Sequence, residues 1–176
     1  MDYVKLYNKL DETHIFKEIS YDEFMNMFDT FQTGLVLLGG PWCSNAQLIV
    51  PYLNKIAKEN NVSVIYNFDF KYLNDFGQQG DLRTGTSLDH RLEYFNIAEK
   101  TGIHSASTVE NTMMPRIPSP TVIAIKNGNC IDYVTFKYIL DETKPKNSLT
   151  GEELKDFTNK ILMLINDTKL DERFKL

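Results

Sequence analysis

Two side chains can act as soft nucleophiles, Cys43 and Cys130. Cys43 stands in the run Pro41-Trp42-Cys43-Ser44-Asn45-Ala46, after the glycine pair Gly39-Gly40 and ahead of residues with helical spacing. The first turn of a helix leaves backbone amides unpaired and carries the positive end of the helix dipole, so a thiol placed there ionises more readily than a free one. A thiolate attacks a disulfide sulfur, whereas a thiol hardly does. The plain alternative is that Cys43 is a small buried apolar residue without chemistry. Trp42 reads as a packing residue that also borders the site. Cys130 follows a turn and reads as an ordinary strand residue, since pairing with Cys43 needs the two Cα atoms within about 7 Å.

Other candidate chemistry falls away. His14, His90 and His104 are isolated in sequence and make no metal-ligand spacing, so structural or surface roles are expected and no metal is called for. The run Asp81-Leu82-Arg83-Thr84-Gly85-Thr86 lacks the Lys-Ser/Thr that completes a phosphate loop. No cofactor follows from any motif. Two cysteines in 176 residues do not make a disulfide framework, so reduced thiols and a cytoplasmic setting are expected. With 19 basic against 24 acidic residues, the net charge of -5 argues against a nucleic-acid partner. The longest apolar stretch, near Leu35 to Leu38, is too short to span a bilayer, so no membrane partner is expected.

The elements that must position Cys43 are legible from periodicity. Val4, Leu6, Tyr7 and Leu10 suit a short helix, and His14 to Ile19 a strand. Ser20-Tyr21-Asp22-Glu23 has the form of a capping box, and Phe24, Met27, Phe28 and Phe31 follow as one apolar stripe ending before Gly34. Leu35 to Leu38 reads as a central strand buried on both faces. A helix is expected from Ser44 to Glu59 with Pro51 inside it, then a strand over Ser63 to Phe68, parallel to the previous one because a helix joins them. Residues 71–87 read as a polar loop, Leu88 to Lys100 as a helix stopped at Gly102, and His104 to Ser119 as an irregular stretch. Asn127-Gly128 between Thr121 to Lys126 and Ile131 to Val134 is the dipeptide for a tight hairpin. Thr150-Gly151-Glu152-Glu153 repeats the capping box ahead of Leu154, Phe157, Ile161, Leu164 and Ile165, with fraying after Asp167. This is an α/β order with a mixed sheet, read as one domain over residues 1–176 with its core at about 14–166.

A tryptophan and a cysteine at a strand-to-helix junction, with a proline eight residues further on, resemble the thioredoxin family, whose signature is W-C-G-P-C before a helix kinked at proline. Cys43 matches the first cysteine, Ser44 and Asn45 the spacers, Ala46 the second cysteine and Pro51 the kink. Ser119-Pro120-Thr121, a strand and Lys126-Asn127-Gly128 match the family's cis-proline loop and following hairpin. The resemblance implies a thioredoxin-like α/β fold, with a mixed central sheet, helices on both faces, two insertions (71–87 and 104–118) and an N-terminal extension. It implies Cys43 as catalytic nucleophile, and Trp42, Ser44, Ser119 and Pro120 as contacts to a protein or low-molecular-weight thiol or disulfide substrate. Two departures matter. Ala46 has no sulfur to resolve a mixed disulfide, and Leu37 stands where the family usually has a buried aspartate. Either a monothiol exchange site needing an external thiol remains, or a redox-inactive fold kept to bind a peptide or protein. The 104–118 insertion is expected to pack Met113, Met114 and Ile117 beside Trp42 and narrow access to Cys43, or else to cover a sheet edge.

Overall fold

The structure, a computed structural model, describes residues 1–73, 76–85, 87–110 and 112–169. Residues 74, 75, 86 and 111 of the two expected insertions, and residues 170–176, where fraying is expected, lie outside the described residues. In chain order the elements are α1 (Tyr3–Leu6), β1 (Phe16–Glu18), α2 (Tyr21–Asp29), β2 (Gly34–Leu38), α3 (Ser44–Glu59), β3 (Ile65–Phe68), β4 (Lys71–Leu73), β5 (Gln79–Asp81), α4 (Leu88–Thr101), β6 (Thr121–Lys126), β7 (Asn129–Thr135) and α5 (Gly151–Thr168).

The main sheet has the order β1-β3-β2-β6-β7. β1, β3 and β2 run parallel, whereas β6 and β7 are added antiparallel. The connections dictate these directions, because α3 carries the chain back for a parallel β3, while the two residues between β6 and β7 permit only an antiparallel pair. β2 lies at the centre and is apolar on both faces. Leu35 and Leu37 join the core under α3 and α5, with Ile49, Leu53, Phe157 and Ile161. Val36 and Leu38 join the core under α2 and α4, with Phe24, Phe28, Tyr94 and Ile97. Helices therefore cover both faces of a mixed sheet, and the chain has the α/β thioredoxin-like fold.

Local signals set the helix ends. Ser20 Oγ accepts the Glu23 amide (3.2 Å) while the Glu23 carboxylate accepts the Ser20 amide (2.8 Å), and Thr150 and Glu153 do the same at the start of α5. At the end of α3, Asn61 adopts φ 64°, the Val62 amide reaches back to the Ala57 carbonyl and the Asn61 amide to the Lys58 carbonyl, the paired bonds of a Schellman stop. The hairpin between β6 and β7 turns on Asn127 (φ 50°) and Gly128 (φ 71°).

Four expectations are corrected. Phe31 does not continue the apolar stripe of α2: the helix stops at Asp29, Phe31 takes φ 57° as its left-handed cap, Gln32 bonds back to Met27, and the Phe31 ring is 74% exposed. In the N-terminal extension Tyr3, Tyr7 and Leu10 are buried, while Val4 and Leu6 face outward. The 71–87 stretch is not a plain loop but holds the antiparallel pair β4-β5, with Leu82 and Arg83 buried beyond it. The 104–118 segment sends Val109 and Ile117 into the core under α2 and α4, where Tyr94 Oη donates to Pro115 O (2.7 Å) and accepts from the Ile117 amide (2.7 Å). Met113 is almost fully exposed, so it does not pack beside Trp42 as expected, while Met114 and Ile117 join the core under α2 and α4. Among the described residues, no helix is long and apolar enough to cross a membrane.

Candidate functional site around Cys43

β2 ends at Leu38 and the chain then makes its closest approaches through two glycines. Gly39 has φ 142°, a backbone state that side chains rarely adopt, and a Cβ there would overlap Ser119 Oγ. A Cβ at Gly40 would overlap the Asp69 carboxylate and the Trp42 indole nitrogen. Without side chains at these positions, the loop is drawn against the residues before β6 and the end of β3. Cys43 then becomes the N-cap of α3, its amide bonded to Gly40 O (3.1 Å) and its carbonyl accepting the Gln47 amide (2.9 Å).

The half-buried Cys43 Sγ donates to Ser119 O at 3.3 Å. Ser119-Pro120 is a cis peptide, and the Pro120 carbonyl accepts the Phe136 amide (3.0 Å). Cys43 and the Ser119-Pro120 loop thus meet at one place. Ser44 Oγ donates to both carboxylate oxygens of Glu142 (2.8 and 2.6 Å), so its hydroxyl is tied to the segment after β7. Asn45 is buried and structural: its Oδ1 accepts the amides of Tyr138 (2.7 Å) and Ile139 (2.8 Å), and its Nδ2 donates to Ile139 O (3.2 Å). Ala46 is fully buried in the core under α3.

Trp42 is held from three sides. Its Nε1 donates to Asp69 (2.8 Å), the Lys71 ammonium lies 4.6 Å from its ring centre and the Arg83 guanidinium 4.8 Å. Arg83 is 5% exposed, forks onto Asp81 (3.0 and 2.7 Å) and reaches Ile117 O. Burial pushes the Asp69 carboxyl above the usual range, opposed by its hydrogen bonds from the Lys71 amide and the Trp42 indole. Burial acts on Asp81 in the same direction, yet hydrogen bonds and charge pairing with Arg83 outweigh it and hold that carboxyl below the usual range. Across from Leu37 in the sheet register lies Asn67, fully buried. Asn67 donates to the carbonyls of Leu37 (3.0 Å) and Gly39 (2.8 Å) and accepts from Tyr3 Oη (3.1 Å). A neutral amide on the neighbouring strand therefore braces Leu37, the position at which the family resemblance calls for a carboxylate.

Cys130 lies on β7 in the core under α2 and α4, across the sheet from Cys43. Burial, helped by Asp132, pushes its thiol up to about 11. His14, His90 and His104 are dispersed: His90 Nδ1 is 2.7 Å from Tyr72 Oη, the His14 ring lies tilted against Tyr3 at 5.0 Å, and the His104 amide bonds Tyr133 Oη. Sequence reasoning passed over Asn45, Asp69, Lys71, Arg83 and Glu142. A signal existed for part of this set in the spacing Asp69-x-Lys71 and Asp81-x-Arg83, in which each aspartate accepts the backbone amide two residues on.

No protein-family model matches the chain, and no curated protein matches it. Among solved structures, the chain is similar to a crystal structure of a poplar thioredoxin h mutant, at 12% identity over 98% of this chain and 94% of that chain, with a TM-score of 0.45. Activity does not follow from a likeness at that level.

Proposed function

We propose that the chain is a thioredoxin-like thiol–disulfide oxidoreductase that works through the single cysteine Cys43 and an external resolving thiol. The observation that carries this reading is the partly exposed Cys43 Sγ at the start of α3, 3.3 Å from the carbonyl of Ser119 in the cis Ser119-Pro120 loop. The thiolate of Cys43 attacks one sulfur of a disulfide, whose S–S bond breaks. The other half leaves as a thiolate and takes up the proton that Cys43 released. An external thiolate then attacks the substrate-side sulfur of the mixed disulfide and frees Cys43. One disulfide is exchanged for another, so no outside electrons are needed. Trp42 walls the site, while Ser119 and Pro120 present backbone to a bound protein or small thiol. A cytosolic setting, with reduced thiols in excess, suits this cycle.

The decisive experiment is incubation with glutathione disulfide followed by mass analysis. A single adduct on Cys43, removed by reduced glutathione and absent in Cys43→Ser, is expected, together with no catalytic reduction of insulin disulfides by a dithiol reductase system. Turnover that survives Cys43→Ser ends the proposal. The second reading, a redox-inactive module that binds a peptide or protein, is favoured by the buried Ala46 and by Leu37, since the resolving half-reaction has no group of its own. Binding of a partner undiminished by Cys43→Ser, with Cys43 inert to glutathione disulfide, would select it.

A further inference from the structure

A groove of about 880 Å³ runs along the outer side of α3 and ends at Ser44, the residue after Cys43. Its walls are the N-terminal extension at Asn8 and Lys9 and the segment from Ile139 to Asn147, and Leu48, Pro51 and Tyr52 give it an apolar floor. Cys43 does not itself line it. Trp42, on one side of Cys43 in sequence, is occupied by Lys71 and Arg83, whereas Ser44, on the other, lines the groove. The volume is that of small-molecule sites, about 300–1,000 Å³.

We propose that this groove binds low-molecular-weight disulfides and thiols that carry carboxylates, and delivers their sulfur to Cys43. The inference rests on the proposed exchange function and names its substrate class. Three lysines, Lys9, Lys55 and Lys146, line the groove against one acid, Glu142, on a chain whose net charge is -5. Lys146 is paired with Glu153. Among the described residues Lys55 has only an exposed carboxylate, Glu59, at 4.0 Å, a weak partner. Lys9 donates to the neutral carbonyl of Asn147 (2.7 Å), and among the described residues no carboxylate pairs with it. Its backbone takes φ 67°, a state uncommon for a residue other than glycine. The cationic groove is thus assembled at a local backbone cost. At the end nearest Cys43 the Glu142 carboxylate already sits in the grip of Ser44 Oγ, which marks that end as a place that accepts a carboxylate. An anionic ligand would compete with Glu142 there, its carbon body lying on the apolar floor.

The test separates binding from chemistry. A Cys43→Ser, Cys130→Ala protein is titrated calorimetrically with dithiobis(nitrobenzoate), a dianionic aromatic disulfide, and with the neutral dithiodipyridine. The anionic probe should bind more tightly. Lys55→Glu, a charge reversal on the exposed face of α3, should weaken it roughly tenfold, and Lys9→Ala roughly threefold, the scale of unit-charge interactions at about 6 Å in water. Glu142→Gln should tighten it by about threefold, and added salt should erode all three effects. In the Cys130→Ala protein with Cys43 intact, the ratio of anionic to neutral reaction rates should fall with Lys55→Glu by the same factor. Equal affinity for the two probes, or an anionic affinity indifferent to Lys55→Glu, overturns the proposal. A Cys43 inert to both reagents defeats the exchange function instead, while the titration of the Cys43→Ser protein still decides the groove.

Discussion

Asn45 occupies a spacer position of the cysteine motif, yet its side chain makes three hydrogen bonds to the chain after β7, at 2.7, 2.8 and 3.2 Å. Asn45→Ala removes all three and leaves the amides of Tyr138 and Ile139 and the Ile139 carbonyl without their partner. At a net value of about 1 kcal/mol per bond, and more for groups left buried, the loss should be about 3–4 kcal/mol. That is a large share of the stability of a typical domain. With a urea dependence of about 2 kcal/mol per M, the midpoint of unfolding should fall by about 1.5–2 M. Urea titrations followed by Trp42 fluorescence and by circular dichroism would measure it. Asn45→Asp keeps both acceptor bonds but sets a carboxylate oxygen against Ile139 O, so it should lose an intermediate amount. The released segment carries Glu142, so a neutral alkylating reagent should also reach Cys43 faster in Asn45→Ala. A midpoint shift below about 0.5 M would refute the assignment of Asn45 as the tie between α3 and this segment.

Three further outcomes are expected. Arg83→Ala leaves the Asp81 carboxylate partly buried and unpaired and removes a cation from the Trp42 ring; a loss of about 3–5 kcal/mol in urea unfolding and a shifted emission of Trp42, the sole tryptophan, should result. Because burial raises the Asp69 carboxyl in the folded state, its contribution to stability is full below the ordinary value of 3.8 and is lost as pH rises through the folded value, so Asp69→Asn should stabilise the protein at neutral pH and lose that advantage in acid. Unfolding midpoints across the pH range would check this, an advantage independent of pH counting against it. The Cys130 thiol, pushed up to about 11, should alkylate far more slowly than Cys43 at about pH 7, as peptide mapping after brief iodoacetamide treatment would show.

The parts of this fold that were legible in the sequence are those fixed by neighbours along the chain. The capping boxes at Ser20 and Thr150, the apolar run of β2 and the Asn127-Gly128 turn each carry their own local cause, and all stand where the periodicity put them. Cys43 at the start of α3 was legible for the same reason. Phe31 misled because its spacing from Phe24 is helical, whereas the chain must leave α2 in a left-handed turn to enter β2. The clamp on Trp42 was hidden because Asp69, Lys71 and Arg83 converge only once β4 and β5 pair, and polar residues in a Gly-rich stretch look like a loop until a tertiary partner is present. Met113 and Ile117 invited an apolar lid, but Met113 is exposed and Tyr94 of α4 holds the Ile117 amide, with Ile117 in the core under α2 and α4.

The N-terminal extension has a bearing on the order of events during folding. Its anchoring bonds join residues far apart along the chain: Asn8 to Gln47 spans 39 residues, Tyr3 to Asn67 spans 64, and Lys9 to Asn147 spans 138. Closing contacts over such distances carries more loop entropy than pairing β6 with β7 across two residues, so they form late. The wall of the groove at Lys9 is thus added to a sheet that already exists, and in the native state it is the part that opens first. Hydrogen exchange should find the amides of residues 3–10 freed well before those of β2, and a ligand seated against Lys9 slows that release by mass action. Whatever the groove admits, its entrance is timed by a strap whose anchor at Asn147 lies 138 residues further along the chain.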